Sequence, residues 1–225
     1  MASRTGPSAT TTGWRIEYAL ALAGLFFFVA LSVLVQLRVL APLDHAVTFG
    51  KLTIENPVLE VIGAVTGIMF SAELSLGYSA LGALYLWRRG LGLWALAPFA
   101  FVVATPVEMV LKRFVNQPYV PADLHSSVPY PLTVVELGGA YPSGHALRTG
   151  FFLTFLAVVL WQRGGFGWRA AAAGALLLAL FIAYTRVYVG DHWLSDVVAG
   201  LALGASTALP LAATLAPRLA ARAGC

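Results

Sequence analysis

Six apolar stretches dominate this chain, at roughly 16–40, 57–87, 91–114, 142–162, 167–189 and 192–216, and each meets or approaches the length of a bilayer span. A helix needs about 20 mostly apolar residues to cross the hydrocarbon core. Backbone polar groups must find partners inside lipid, so such runs cross as helices. The expected class is all-α: a polytopic membrane bundle of six transmembrane helices, formed as one domain over residues 1–225. Composition agrees, with 59% hydrophobic and 11% charged residues against about 25% charged in a soluble domain. The second stretch is the least regular, because Glu73 interrupts it and it is long enough to tilt or to span only in part.

The first run follows a short polar tail, residues 1–15, and is too long for the apolar core of a cleavable signal peptide, so it reads as a retained span. Between the first two spans, Asp44 to Glu55 mixes Val47, Leu52 and Ile54 with Lys51, a pattern that predicts a small interfacial helix. The longest polar connection, residues 116–141, contains Pro118, Pro121, Pro129 and Pro131 and predicts irregular structure. Cys225 is the single cysteine, which excludes an intramolecular disulfide and a CxxC site.

Orientation follows from charge. With both termini cytoplasmic, the inner side receives Arg4, Arg15, Arg88, Arg89, Arg163, Arg169, Arg218 and Arg222, while Asp44, Glu55, Asp123, Glu136 and Asp191 fall outside. The positive-inside rule favours that arrangement. The net charge of +4 comes from basic residues scattered at span ends; no basic stripe suggests a nucleic-acid partner. The tryptophans near span ends, Trp193 among them, predict an aromatic belt. Glu73 and Glu108, lying within spans, should face the bundle interior. His45 and His125 read as solvated loop residues.

Under this topology the titratable residues gather on the outer face. Pro142, Ser143, Gly144 and His145 open the fourth span. Proline suits a first helical turn, and Ser143, Gly144 and His145 then offer backbone N–H groups at a helix N-terminus, an anion site by construction. A plain helix start is the competing reading. His192 and Asp196 are four apart, so a helix would place them on one face, where a carboxylate fixes the imidazole tautomer. Arg186, across a turn at Gly190, brings a planar fork suited to phosphate oxygens. Asp191 reads as the helix N-cap.

These residues resemble the type 2 phosphatidic acid phosphatase family (PAP2). Pro142-Ser143-Gly144-His145 matches its central P-S-G-H motif. Thr185-Arg186 with His192 and Asp196 matches its third motif, S-R-x5-H-x3-D, with Thr for Ser. Either motif arises by chance at roughly one position in 10⁴–10⁵. The first motif, K-x6-R-P, is partial: Lys112 fits, but Tyr119 and Val120 stand where Arg and Pro are expected. Arg148, one helical turn after His145, is either the substitute cation or the partner of Glu108 in an interhelical bridge.

The resemblance implies that His192 is a nucleophile that takes the phosphoryl group, that Asp196 orients it, and that His145 is the acid and then the base. It implies a phosphate cradle of Lys112, Ser143, Gly144 and Arg186. The substrate implied is a lipid phosphate or diphosphate: an isoprenyl diphosphate, phosphatidic acid or phosphatidylglycerol phosphate. Without a group of three carboxylates, no catalytic metal and no cofactor are expected. A phosphotransferase, or a non-hydrolytic lipid-phosphate binder or transporter on the same scaffold, stays open, the latter because the first motif is degraded.

Overall fold

The computed structural model describes residues 13–50, 56–126 and 138–223. Expectations for the tail before residue 13, for Lys51 to Glu55, for residues 127–137 of the long connection, and for Cys225 lie outside the described residues.

All regular structure described is helical, and the fold is an all-α integral membrane bundle. Helix α1, Gly13–Gln36, turns its apolar side chains outward at Leu22, Phe26 and Val29, and inward at Phe28, Leu31 and Val35. An apolar residue exposed here faces lipid, so the hydrophobic surface carries no solvation cost. The chain then turns through Arg38, whose φ of 61° closes the helix end in the left-handed conformation. The interfacial helix follows at once as α2, Ala41–Gly50, beginning three residues earlier than the sequence pattern suggested.

The second stretch is two helices. Helix α3, Pro57–Met69, and α4, Ala72–Arg88, meet at Phe70 and Ser71 with a bend of 56°. Asn56 caps α3 and Ser71 caps α4, each accepting first-turn N–H groups, which is how a broken span keeps its backbone satisfied. Glu73, in the first turn of α4, is exposed rather than turned to the interior, because the new helix start sets its direction. The third stretch also departs from one continuous α-helix. It opens as a 3-10 helix, Gly92–Phe99, containing Pro98, and continues as α5, Phe101–Phe114. Proline lacks the N–H that an α-helix interior requires.

Helices α6, Gly144–Gln162, α7, Phe166–Tyr188, and α8, Leu194–Ala223, form the centre. Helices α6 and α8 approach backbone to backbone. A Cβ on Gly150 would lie 2.8 Å from the Leu201 carbonyl oxygen, and one on Gly204 would run into the Leu147 carbonyl. Small residues permit that approach where lipid supplies no hydrophobic drive between helices. Packing at the centre carries one end of α5, α6, α7 and α8 to a common place: Lys112, Gly144, Arg186 and Leu194 all sit at or near these ends.

Candidate active site

The site is assembled from helix ends, and each end is fixed by a specific contact. Ser143 caps α6, its hydroxyl accepting from the Ala146 N–H at 3.3 Å. Its own N–H donates to the Asp196 carbonyl at 3.0 Å, tying α6 to α8. The Ser143 N–H is thus engaged within the protein, while its hydroxyl, an acceptor in the cap, keeps its own O–H proton to donate. Among the described residues, the first-turn N–H groups left without a protein partner belong to Gly144 and His145. Gly144 is required for space as well: a Cβ there would run into Glu108 Oε1 and lie 3.1 Å from Arg148 Nη1.

Helix α7 ends at Gly190, whose φ of 83° permits a left-handed cap; the Asp191 and His192 N–H groups donate back to the Arg186 carbonyl. Asp191 does not cap α8. That helix begins at Leu194, and Asp191 instead accepts from Arg186 Nη1 at 2.9 Å. Arg186 is 1% exposed and also donates through Nη2 to the Gly63 carbonyl and to Thr66 Oγ1 on α3. Gly67 lies under the guanidinium, where a Cβ would meet Nη1. Helix α3 thus forms one wall of the site, a contribution the motif spacing gave no sign of.

His192 lies in the turn before α8, not on the helix, so helical periodicity is not what brings Asp196 to it. Asp196 is the third residue of α8 and reaches back, accepting from the Trp193 N–H at 3.0 Å and lying 3.5 Å from His192 Nδ1. This is half of a capping box: the carboxylate serves the helix start, and it stands near the imidazole without a hydrogen bond to Nδ1. Burial first, and the nearby Lys112 charge second, pull the His192 pKa down to about 3, against an opposing pull from Asp191. The ring is neutral at pH 7, with a lone pair available for nucleophilic attack.

Lys112 donates to the Ala140 carbonyl at 3.3 Å and stands 3.9 Å from Glu108. Arg148, Arg186, Lys112 and His192 all act electrostatically on His145, whose Nε2 is buried with no hydrogen-bond partner among the described residues. Arg148 does not form an ion pair with Glu108 within 4 Å; its Nε donates to the Phe70 carbonyl at 2.7 Å. Three cations and a second imidazole therefore lie within electrostatic reach of His145, a charge pattern suited to an anion.

The aromatic belt does not extend to Trp193. It is 3% exposed, packs on Val120, Leu124 and Ala140, and donates through Nε1 to the Pro118 carbonyl at 2.7 Å. His45 is on α2 rather than in a loop, with its ring 4.9 Å from that of Trp193. His125 is exposed, with Nε2 3.0 Å from the Val120 carbonyl.

Comparison with known proteins gives a consistent picture. A family model described as the PAP2 superfamily matches residues 92–219. Similar proteins include an undecaprenyl-diphosphatase of Sulfolobus acidocaldarius, 40% identical over 67 residues, which are 29% of this chain and 28% of that protein. Lipid phosphate phosphatase gamma of Arabidopsis thaliana is 31% identical over 103 residues, 43% of this chain and 45% of its own length. A lipid A 1-phosphatase of Rhizobium johnstonii is 41% identical over 66 residues, 29% of this chain and 24% of that protein. The chain thus spans less than half the length of these curated relatives. In fold it is similar to the crystal structure of a transmembrane PAP2 type phosphatidylglycerolphosphate phosphatase from Bacillus subtilis. That match has a TM-score of 0.68 at 18% identity and covers 90% of this chain and 96% of that one.

Proposed function

Because this chain belongs to the PAP2 superfamily, we propose that it is a membrane phosphatase that dephosphorylates a lipid phosphate or diphosphate through a phosphohistidine. The observation that carries this reading is the gathering of Lys112, Arg148, Arg186 and His192 within electrostatic reach of His145, whose Nε2 is buried and unpartnered among the described residues. Simple binding needs the cations; it does not need a neutral imidazole backed by a carboxylate at 3.5 Å.

The lone pair of the ring nitrogen of His192 distal to Asp196 attacks phosphorus, forming a P–N bond as the P–O bond to the lipid breaks. The leaving oxygen takes a proton from His145. Water then attacks the phosphoryl group, His145 accepts the water's proton, the P–N bond breaks, and inorganic phosphate leaves. Lys112, Arg148, Arg186 and the Gly144 N–H stabilise charge on the equatorial oxygens, where phosphoryl transfer most needs it. Asp196 holds the His192 tautomer. All the steps are assigned to the protein's own groups, so turnover is expected without added metal.

The substrate is an isoprenyl diphosphate, a phosphatidic acid or a phosphatidylglycerol phosphate, in keeping with the names of the relatives. Under this reading both termini lie in the cytoplasm and the site at the extracytoplasmic surface, and the charge asymmetry of the chain supports it. The test is phosphate release by the purified protein from each of these lipids in excess EDTA, beside His192→Ala. Release by the wild type and its loss in the variant are expected; release that survives in the variant refutes the reading. Added alcohol acceptors distinguish hydrolysis from phosphotransfer.

A further inference from the structure

Asp44 on α2 is 2% exposed, and no cation pairs with it among the described residues. A buried carboxylate without a counter-charge costs several kcal/mol, on the order of the penalty for any desolvated ion. Its compensation is a set of donors. The Ser195 N–H donates to Oδ1 at 2.9 Å, the Ser195 hydroxyl to Oδ2 at 2.7 Å, and Gln117 Nε2 to Oδ2 at 3.2 Å. Gln117 Nε2 also lies 3.4 Å from Ser195 Oγ, closing the network.

Ser195 is the second residue of α8, flanked by Leu194 and Asp196. A helix start leaves its first N–H groups in need of acceptors and carries positive potential. The residue in the N-cap position, Trp193, has no side-chain acceptor, and Asp196 reaches back to only one N–H. Asp44 supplies the missing acceptor from another helix. Val47, also on α2, packs against Ala146, Val187 and Val197 beside the same turn, and His45 packs on Trp193. Helix α2 therefore holds the beginning of α8 on both sides of His192 and Asp196.

We propose that Asp44 is a positioning residue for catalysis: by capping α8 from α2 through Ser195, it fixes Asp196 against His192. This inference rests on the phosphatase reading above. Its action is through geometry, and misplacement of reacting groups by about 1 Å lowers turnover by about 100-fold.

The test exploits hydrogen-bond polarity. Asp44→Asn keeps the shape but turns an NH₂ donor toward Gln117 Nε2 and Ser195 Oγ. Adding Gln117→Glu restores the three side-chain contacts with their direction reversed, since a serine hydroxyl both donates and accepts, while the Ser195 N–H still donates to Oδ1. Phosphate release from a short-chain phosphatidic acid, vanadate inhibition and thermal unfolding are measured for wild type, both single variants and the double variant. The expected result is a ~10–100-fold loss of kcat in Asp44→Asn with the vanadate inhibition constant within about threefold of wild type. The double variant recovers most of the loss. Wild-type kcat in Asp44→Asn overturns the inference, as does a loss that appears only as less folded protein with unchanged turnover per folded molecule. Should Asp44→Asn not fold, Ser195→Ala, which keeps the N–H contact to Oδ1, is expected to lower kcat several-fold, and unchanged kcat there overturns it. A wild type that releases no phosphate from any lipid phosphate refutes the phosphatase reading and this inference with it. An active wild type matched by Asp44→Asn refutes the inference alone.

Discussion

Arg148 Nε donates to the carbonyl of Phe70, 2.7 Å away, at the break between α3 and α4. The carbonyl closes the end of α3, and the guanidinium satisfies it while neutralising the negative end of that helix. A charged donor to such a group contributes about 1.5–3 kcal/mol. Nη1 of the same guanidinium lies 3.1 Å from where a Cβ on Gly144 would stand.

Arg148 thus closes the bend between α3 and α4 and, under the proposed function, also serves the anion site. Arg148→Ala is expected to lower kcat/KM by about 100-fold and to lower the unfolding temperature as well. Arg148→Lys restores little, because an ammonium is a point charge without the fork geometry. Phosphate-release kinetics and thermal unfolding in detergent check both. Full activity in Arg148→Lys would show that charge alone matters there.

Gly67→Ala separates the wall of the site from its chemistry. The added methyl meets Arg186 Nη1, the end of a side chain rather than backbone, so the helices stay packed and the guanidinium shifts against its contacts to Asp191, Gly63 and Thr66. The expected signature is weaker phosphate or vanadate inhibition by about tenfold, with unfolding temperature little changed. Unchanged inhibition would mean that Arg186 does not meet the substrate phosphate.

Gly204→Ala contrasts with it. There the methyl meets the backbone of Leu147 and Phe151, which cannot rotate away. Overpacking of this kind costs about 1–3 kcal/mol, and a drop in unfolding temperature is the readout. A variant as stable as the wild type would mean that α6 and α8 separate easily.

The His192 imidazole provides a pH signature. Its folded pKa, about 3, lies below the ordinary value of 6.5. Between those limits the unfolded chain takes up a proton that the folded protein refuses. Stability from this group is full above pH 6.5 and declines as pH falls toward 3, by at most about 1.4 kcal/mol per pH unit. Wild type is therefore expected to lose more unfolding temperature between pH 7.5 and pH 5 than His192→Asn, which has no titrating ring. Parallel losses in the two proteins would refute a depressed pKa.

Much of the candidate site was legible in the chain because its groups are local. Pro142 to His145 and Arg186 to Asp196 are short segments whose residue types state their chemistry. Other parts were not legible because they depend on distant partners. The 56° bend at Phe70 replaces a single second span, and Trp193, expected in the belt, is buried by Pro118, Val120 and Ala140. Asp191 carried the residue type of an N-cap, but the turn at Gly190 ended α7 so that Asp191 faced Arg186.

The amino-acid order by itself determined that the chain crosses the bilayer as helices, since nothing else satisfies its backbone in lipid, and it singled out the side chains to which the proposed function assigns the chemistry. Tertiary structure alone decided how those side chains are held: Asp44 capping α8 across 151 positions of chain, and Arg148 satisfying Phe70 rather than bridging to Glu108. The physical reason is that a buried charge takes whichever partners the packed helices bring within about 3 Å, and sequence spacing fixes that distance only within a turn or along one helix.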